Sequence, residues 1–156
     1  MKFDMNTWVD RLIEHEGISL MPYRCVRGKL TIGVGRNLDD NPLSMEEKRA
    51  LGDYMHGITT NGAKMLLRND IKVAYNGAKK IFKDFDELCE DRRYALVDMC
   101  FQLGVKGVAK FRRMRWAIAG KDFEEASRAC LSSVYAKQTP KRANRIAEVI
   151  RTGVWK

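Results

Sequence analysis

A carboxyl stands where a helix should carry an apolar residue. Met5, Trp8, Val9, Leu12 and Ile13 recur at helical spacing, and Glu16 continues their stripe. Gly17 stops the helix, so Glu16 falls in its last turn, on the face that turns inward. Partial burial disfavours the ionised carboxyl, and so does the negative end of the helix dipole. A carboxyl that keeps its proton near neutral pH is what a general acid needs. Glu14 shares the polar face with Thr7, Asp10 and Arg11 and is expected to be solvated. Eight residues separate Glu16 from Cys25, and five separate Cys25 from Thr31. A free thiol titrates near ~8.5, so only a few per cent is thiolate at neutral pH. Arg24 and Arg27 flank Cys25 and push it towards the thiolate.

The elements that must position these residues follow from the same pattern. A first helix runs from about residue 6 or 7 to Glu16. Over 18–38 the character changes: Leu30, Ile32 and Val34 alternate with Lys29, Thr31 and Gly33. This predicts a small antiparallel sheet turning near Arg27-Gly28. The G-V-G of 33–35 lacks the further glycine of a dinucleotide fingerprint, and predicts a bulge or a tight approach instead. Residues 39–42 read as a loop. Ser44 and Glu47 form a capping box for a helix expected to reach Met55.

A long helix over 60–82 carries Leu67, Ile71, Ala74, Ala78 and Ile81 on its buried stripe. Asp91 is placed to cap the next helix, with Leu96, Val97, Cys100 and Leu103 inward. Short helices are expected over 108–111 and 112–119. Asp122 and Glu125 begin another, with Phe123, Ala126, Cys130 and Val134 on its apolar side. Thr139 and Pro140 open the last helix, which buries Ala143, Ile146, Ala147 and Ile150 and ends at Gly153. The class is α+β, mainly helical, with one small sheet.

A chain of 156 residues suits one domain and buries a real core. Apolar content of 45% fits a globular protein, and no apolar run is long enough to cross a bilayer. The segment M-K-F-D-M-N-T-W has no signal-type apolar core, which predicts a protein made and kept in a cytoplasm. Cys25, Cys89, Cys100 and Cys130 form no C-x-x-C pair, and the last three read as packing thiols. With His15 and His56 the only histidines, no metal site and no cofactor are expected. The net charge of +9, from 29 basic and 20 acidic residues, favours polyanions. Most of the basic groups are expected on solvated helix faces.

The triplet Glu16, Cys25 and Thr31, with Thr31 opening T-I-G-V-G, resembles the site of the phage-type lysozymes: Glu, eight residues, Asp or Cys, five residues, Thr. F-Q-L-G (101–104), G-V-A-K-F (107–111), Q-T-P-K-R-A-N-R (138–145) and R-T-G-V-W (151–155) look like segments of that family, in the same order. The resemblance covers the chain nearly end to end. It implies a lysozyme-like fold of two lobes with a cleft between them. Residues 17–59 would form the sheet-bearing lobe, 60–82 the connecting helix, and 1–16 with 83–156 the helical lobe. It implies hydrolysis of the β-1,4 link between N-acetylmuramic acid and N-acetylglucosamine in peptidoglycan, for host cell lysis and phage release.

Glu16 would be the acid, with Cys25 in place of the usual aspartate. Cys25 would act as thiolate base, as a thiol that orients water, or as a nucleophile. Thr31 would hold the water, and Phe101, Gln102 and Asn37 would border the sugar. Arg142 would pair with the acid and lower its pKa, opposing burial and the helix end. A monomer is expected. It needs no nucleic acid and moves from the bacterial cytoplasm to the wall through a separate pore-forming protein.

Three other readings stay open. A lytic transglycosylase would cut the same bond by closing an anhydro-ring. A nucleic-acid-binding helical protein would explain the charge. A basic C-terminal helix could disrupt membranes without catalysis.

Overall fold

The computed structural model describes residues 2–156. Its first helix, α1 (Met5–Glu16), starts one residue earlier than the pattern predicts because Asp4 caps it, accepting from the amides of Asn6 and Thr7. Trp8, Val9 and Leu12 are buried, and Glu14 is exposed as read. The chain divides into two compact units, Met1–Asp70 and Ile71–Lys156. The boundary therefore falls inside the long helix, and α1 counts with the sheet rather than with the helical residues 83–156. The reason is local: the last side chain of α1 lies against the sheet's second turn.

In the first unit, β1 (Ser19–Arg24), β2 (Leu30–Gly33) and β3 (Arg36–Asn37) form an antiparallel sheet in the order β1-β2-β3. The β1–β2 connection closes where expected: Cys25 N donates to Lys29 O at 3.0 Å and Gly28 N to Cys25 O at 2.8 Å, with Gly28 at φ +76°. Tyr23 stands opposite Thr31, and Thr31 opposite Asn37, so these three form one row across the sheet. Helix α2 (Met45–Leu51) keeps the Ser44–Glu47 capping box but stops at Gly52, short of Met55. A single 3-10 turn, Tyr54–His56, follows. Ile32, Leu43 and Leu66 make the core of this unit, with Leu38, Leu51, Tyr54, Ile58 and Met65 packed around them.

A buried ion network ties the sheet to the helices of this unit. Arg36 is 5% exposed and Glu47 4%. Arg36 Nη2 donates to Glu47 Oε1 at 2.8 Å, and Nη1 to Glu47 Oε2 at 3.0 Å and Asp70 Oδ1 at 3.1 Å. Its Nε donates to Asn41 O at 2.9 Å, and Asn69 Nδ2 reaches Glu47 Oε2 at 3.0 Å. One guanidinium thus faces two carboxylates. Its fork goes to Glu47, whose pKa falls to about 2 against a large opposing burial cost because Arg36, Asn69 and Ser44 all donate to it. Asp70 shares one nitrogen and faces the charge of Glu47, so burial wins there and lifts it to about 6.

In the second unit, α3 (Thr60–Ile81) continues and α4 (Glu90–Leu103) is buried on all sides from Arg93 to Cys100. Around α4 lie α5 (Val105–Ala109), α6 (Arg112–Ala119), α7 (Phe123–Leu131), α8 (Val134–Gln138) and α9 (Pro140–Thr152). Helix α9 packs on α4, α7 and α8, α6 on α7, and α5 on α4. Gly77 of α3 has no room for a Cβ, because Val105 fills the space.

Four expectations shift here. Asp91 accepts from Trp155 N at 3.0 Å instead of capping α4, whose N-cap is Cys89. That cysteine is exposed and donates to Gly153 O, so it is no core thiol, whereas Cys100 and Cys130 are buried as read. The short helix expected over 108–111 begins earlier, at Val105. The helix from Phe123 breaks at Ser132-Ser133, whose hydroxyls donate to Ala129 O and Cys130 O of the preceding turn. Val134 thus opens a new helix and lies 66% exposed.

The network makes two predictions. Arg36→Met, which strands two buried carboxylates, is expected to cost about 3–5 kcal/mol in chemical denaturation. Asp70 binds its proton more tightly folded than unfolded, so its contribution to stability falls as pH rises from 3.8 to about 6. Unfolding free energies of wild type minus Asp70→Asn should therefore decrease across that window; an increase would show an ordinary salt-bridged aspartate.

Candidate active site

The first unit gathers the residues of the triplet, and one glycine shows how closely. Gly35 lies in the two-residue turn between β2 and β3 at φ +67°. A Cβ there would stand 3.0 Å from Glu16 Oε2 and 3.5 Å from its Cδ. The Glu16 carboxyl, half-buried at the end of α1, therefore rests on bare backbone. The tight approach expected at 33–35 is this one. Gly33, at φ +68°, would meet Ala63 only at ordinary contact distance, 3.6 Å.

Cys25 sits half-buried at the end of β1, inside the turn to β2. Its pKa is held below the ordinary thiol value by the backbone of Arg27 and then of Lys29, with the Thr31 side chain adding to this against a cost of burial. The turn supplies donors where the sequence pointed to the guanidinium charges of Arg24 and Arg27. Arg24 instead spends its guanidinium on Gly28 O at 2.9 Å and on Asp39. Thr31 is buried, and its Oγ1 also donates to Lys29 O at 3.0 Å.

Tyr23 completes this group and escaped the sequence reading. Its phenol is 41% exposed, and its pKa is raised by partial burial and then by the charges of Glu16 and Cys25. It therefore lies close enough to both to feel them, and it stays protonated. The signal was available. Tyr23 lies two residues before Cys25, near the end of the strand that leads into its turn.

Asn37 shares the row with Tyr23 and Thr31, but its amide is committed to the loop that follows. Oδ1 accepts from the amides of Asp39 and Asp40 at 3.0 Å each, and Nδ2 donates to Asp40 at 2.9 Å.

The second unit holds the other expected residues. Phe101 and Gln102 are half-buried at the end of α4. Gln102 Nε2 donates to Thr139 Oγ1 at 3.1 Å, while its Oε1 is buried with no protein partner among the described residues. Arg142 Nε donates to Asp98 Oδ1 at 2.9 Å, and Asp98 also accepts from Tyr94 at 2.9 Å. Asp98 was not singled out from sequence. It sits amid a run of apolar residues, and its partner is 44 positions away. No group of three or more His, Cys, Asp or Glu among the described residues is arranged to hold a metal ion.

A half-buried glutamate set against a glycine turn and a half-buried thiol at the end of β1 are thus both in the first unit, and the chain as a whole matches known proteins. The family model for phage lysozyme covers residues 13–147. The chain belongs to the phage lysozyme family. It is 31% identical to a probable T4-type lysozyme 2 of Dictyostelium discoideum, over 94% of this chain and 95% of that one. To a probable T4-type lysozyme 1 of the same organism it is 32% identical, over 92% and 93%. It is also 31% identical to the pre-baseplate central spike protein Gp5 of Enterobacteria phage T4, over 92% of this chain and 27% of that protein. The α+β, mainly helical architecture is the lysozyme-like one, and membership gives the phage lysozyme relative described here a lysozyme-type role in cleaving peptidoglycan.

Gly35→Ala tests the contact. A methyl group at positive φ costs about 1 kcal/mol or more of stability. Displacement of the Glu16 carboxyl should lower the rate of peptidoglycan cleavage roughly tenfold to a hundredfold in a protein that still folds. An unchanged rate would remove Gly35 from the site.

Proposed function

We propose that this protein is a muramidase that hydrolyses the β-1,4 bond between N-acetylmuramic acid and N-acetylglucosamine, with Glu16 as general acid, Cys25 as base and Thr31 as the partner of Cys25. The observation that carries the reading is the pairing of two unlike groups in one unit. One is a carboxyl laid against the Gly35 backbone, and the other is a half-buried thiol in the β1–β2 turn, whose pKa the backbone of that turn lowers. Glycoside hydrolysis requires an acid for the leaving oxygen and a second group acting on the far side of the ring.

Glu16 delivers its proton to the glycosidic oxygen. A water held by Cys25 gives up a proton to sulfur as its oxygen bonds to the anomeric carbon. A lowered thiol pKa raises the thiolate fraction at neutral pH, which favours the base over a thiol that merely orients water. The Thr31 hydroxyl stabilises the thiolate. Tyr23, which keeps its proton, would donate to the water or the sugar. Phe101, Gln102 and Asn37 are the residues this reading assigns to sugar contact. The buried Gln102 Oε1 supports its share, since a saccharide N–H or O–H would satisfy it.

The biological role in this reading is lysis of a bacterial host from within. No helix among the described residues is long and apolar enough to cross a membrane. Passage to the wall would then fall to a separate pore-forming protein.

Variants read in a turbidity assay on outer-membrane-stripped cells test the roles. Glu16→Gln should abolish lysis with the fold intact; near-native lysis would refute the assignment. Cys25→Asp should keep activity and Cys25→Ala should lose most of it. If the thiolate is the base, the rate rises with pH through a midpoint below the ordinary thiol value, and Cys25→Asp removes that limb. A pH profile shared by wild type and Cys25→Asp would leave the thiol without a proton-transfer role.

A further inference from the structure

We propose that the face of α6 around Trp116 docks on anionic phospholipid membrane. The proposal stands apart from the catalytic reading. Helix α6 turns Met114, Ala117 and Ile118 to the core and leaves Trp116 on its opposite side, 85% exposed. An indole in water gains nothing for the fold. Its preferred place is the membrane–water interface, where an apolar body and a polar N–H are both satisfied.

The surroundings are cationic. Beside the indole lies a groove of about 430 Å³ lined by Ile81, Lys83, Arg112, Arg115, Trp116 and Ala119. No carboxylate lines it. Arg115 anchors itself on the carbonyls of Ile81 and Ala109 and so keeps an unneutralised charge. Among the described residues, no carboxylate pairs with Lys83 or Arg112, and both are exposed. On the other flank Arg113 is neutralised by Glu125. Three uncompensated cations around one protruding indole match a layer of lipid phosphates over an apolar boundary. A single-stranded nucleic acid is the poorer match, because it stacks successive bases on several aromatic rings, and this face offers one.

The test uses the whole protein with vesicles of phosphatidylcholine containing about a third phosphatidylglycerol, and with phosphatidylcholine alone. Wild type should sediment with the anionic vesicles only. Of the three tryptophans, Trp8 is fully buried and Trp155 half-buried, so a blue shift of emission on binding reports Trp116. Trp116→Ala should lose the shift, and the double variant Lys83→Glu with Arg112→Glu should bind about tenfold more weakly or worse. Both should cleave purified peptidoglycan at the wild-type rate, which shows that they fold. Equal binding to both vesicle types, or binding that neither variant weakens, would overturn the proposal. So would retention on oligo-dT that the same variants abolish, in a protein that ignores vesicles.

Discussion

The contact between the Glu16 carboxyl and the Gly35 backbone is the constraint on which the first unit depends. A carboxyl at the end of a helix is useful only if something fixes its place, and here that is a turn with no side chain. The glycine is required twice, for its positive φ and for the absent Cβ. The next residue, Arg36, is sunk into a network with Glu47 and Asp70. The turn that supports the acid is therefore held by the most strongly bound arginine of the unit. Buried ion pairs add little net stability, but their loss is costly. This one fixes where β3 begins, and so where Gly35 meets Glu16.

Opposite in character is the setting of Cys25. Nothing cationic is bonded to it. The backbone of the five-residue connection from β1 to β2 lowers the pKa of the thiol, with a smaller contribution from the Thr31 side chain. A thiol is larger and less acidic than a carboxyl. Neutral backbone groups make up part of that difference without a cation. Burial raises the pKa of Tyr23, and the charges of Glu16 and Cys25 add to it.

Local signals carried much of this. The stripe that marks α1 put Glu16 on an inward face. The glycines at 33 and 35 were legible as a close approach, and Ser44 with Glu47 as a helix start. What could not be read were second partners. Glu47 caps α2 through Ser44 and also binds Arg36, eleven residues back, and no periodicity links those two. Asp91 has the right offset for a cap yet serves Trp155 at the far end of the chain. Ser132 and Ser133 hide a helix break, because their hydroxyls compete for carbonyls that a continuous helix would use.

The central claim is that Glu16 and Cys25 together add water across a glycan bond. Mass spectrometry of purified peptidoglycan digested in ¹⁸O-labelled water addresses it most directly. The account predicts one labelled oxygen at each new muramic acid end. Unlabelled anhydro-muramic ends would contradict it, since they require ring closure in place of attack by water.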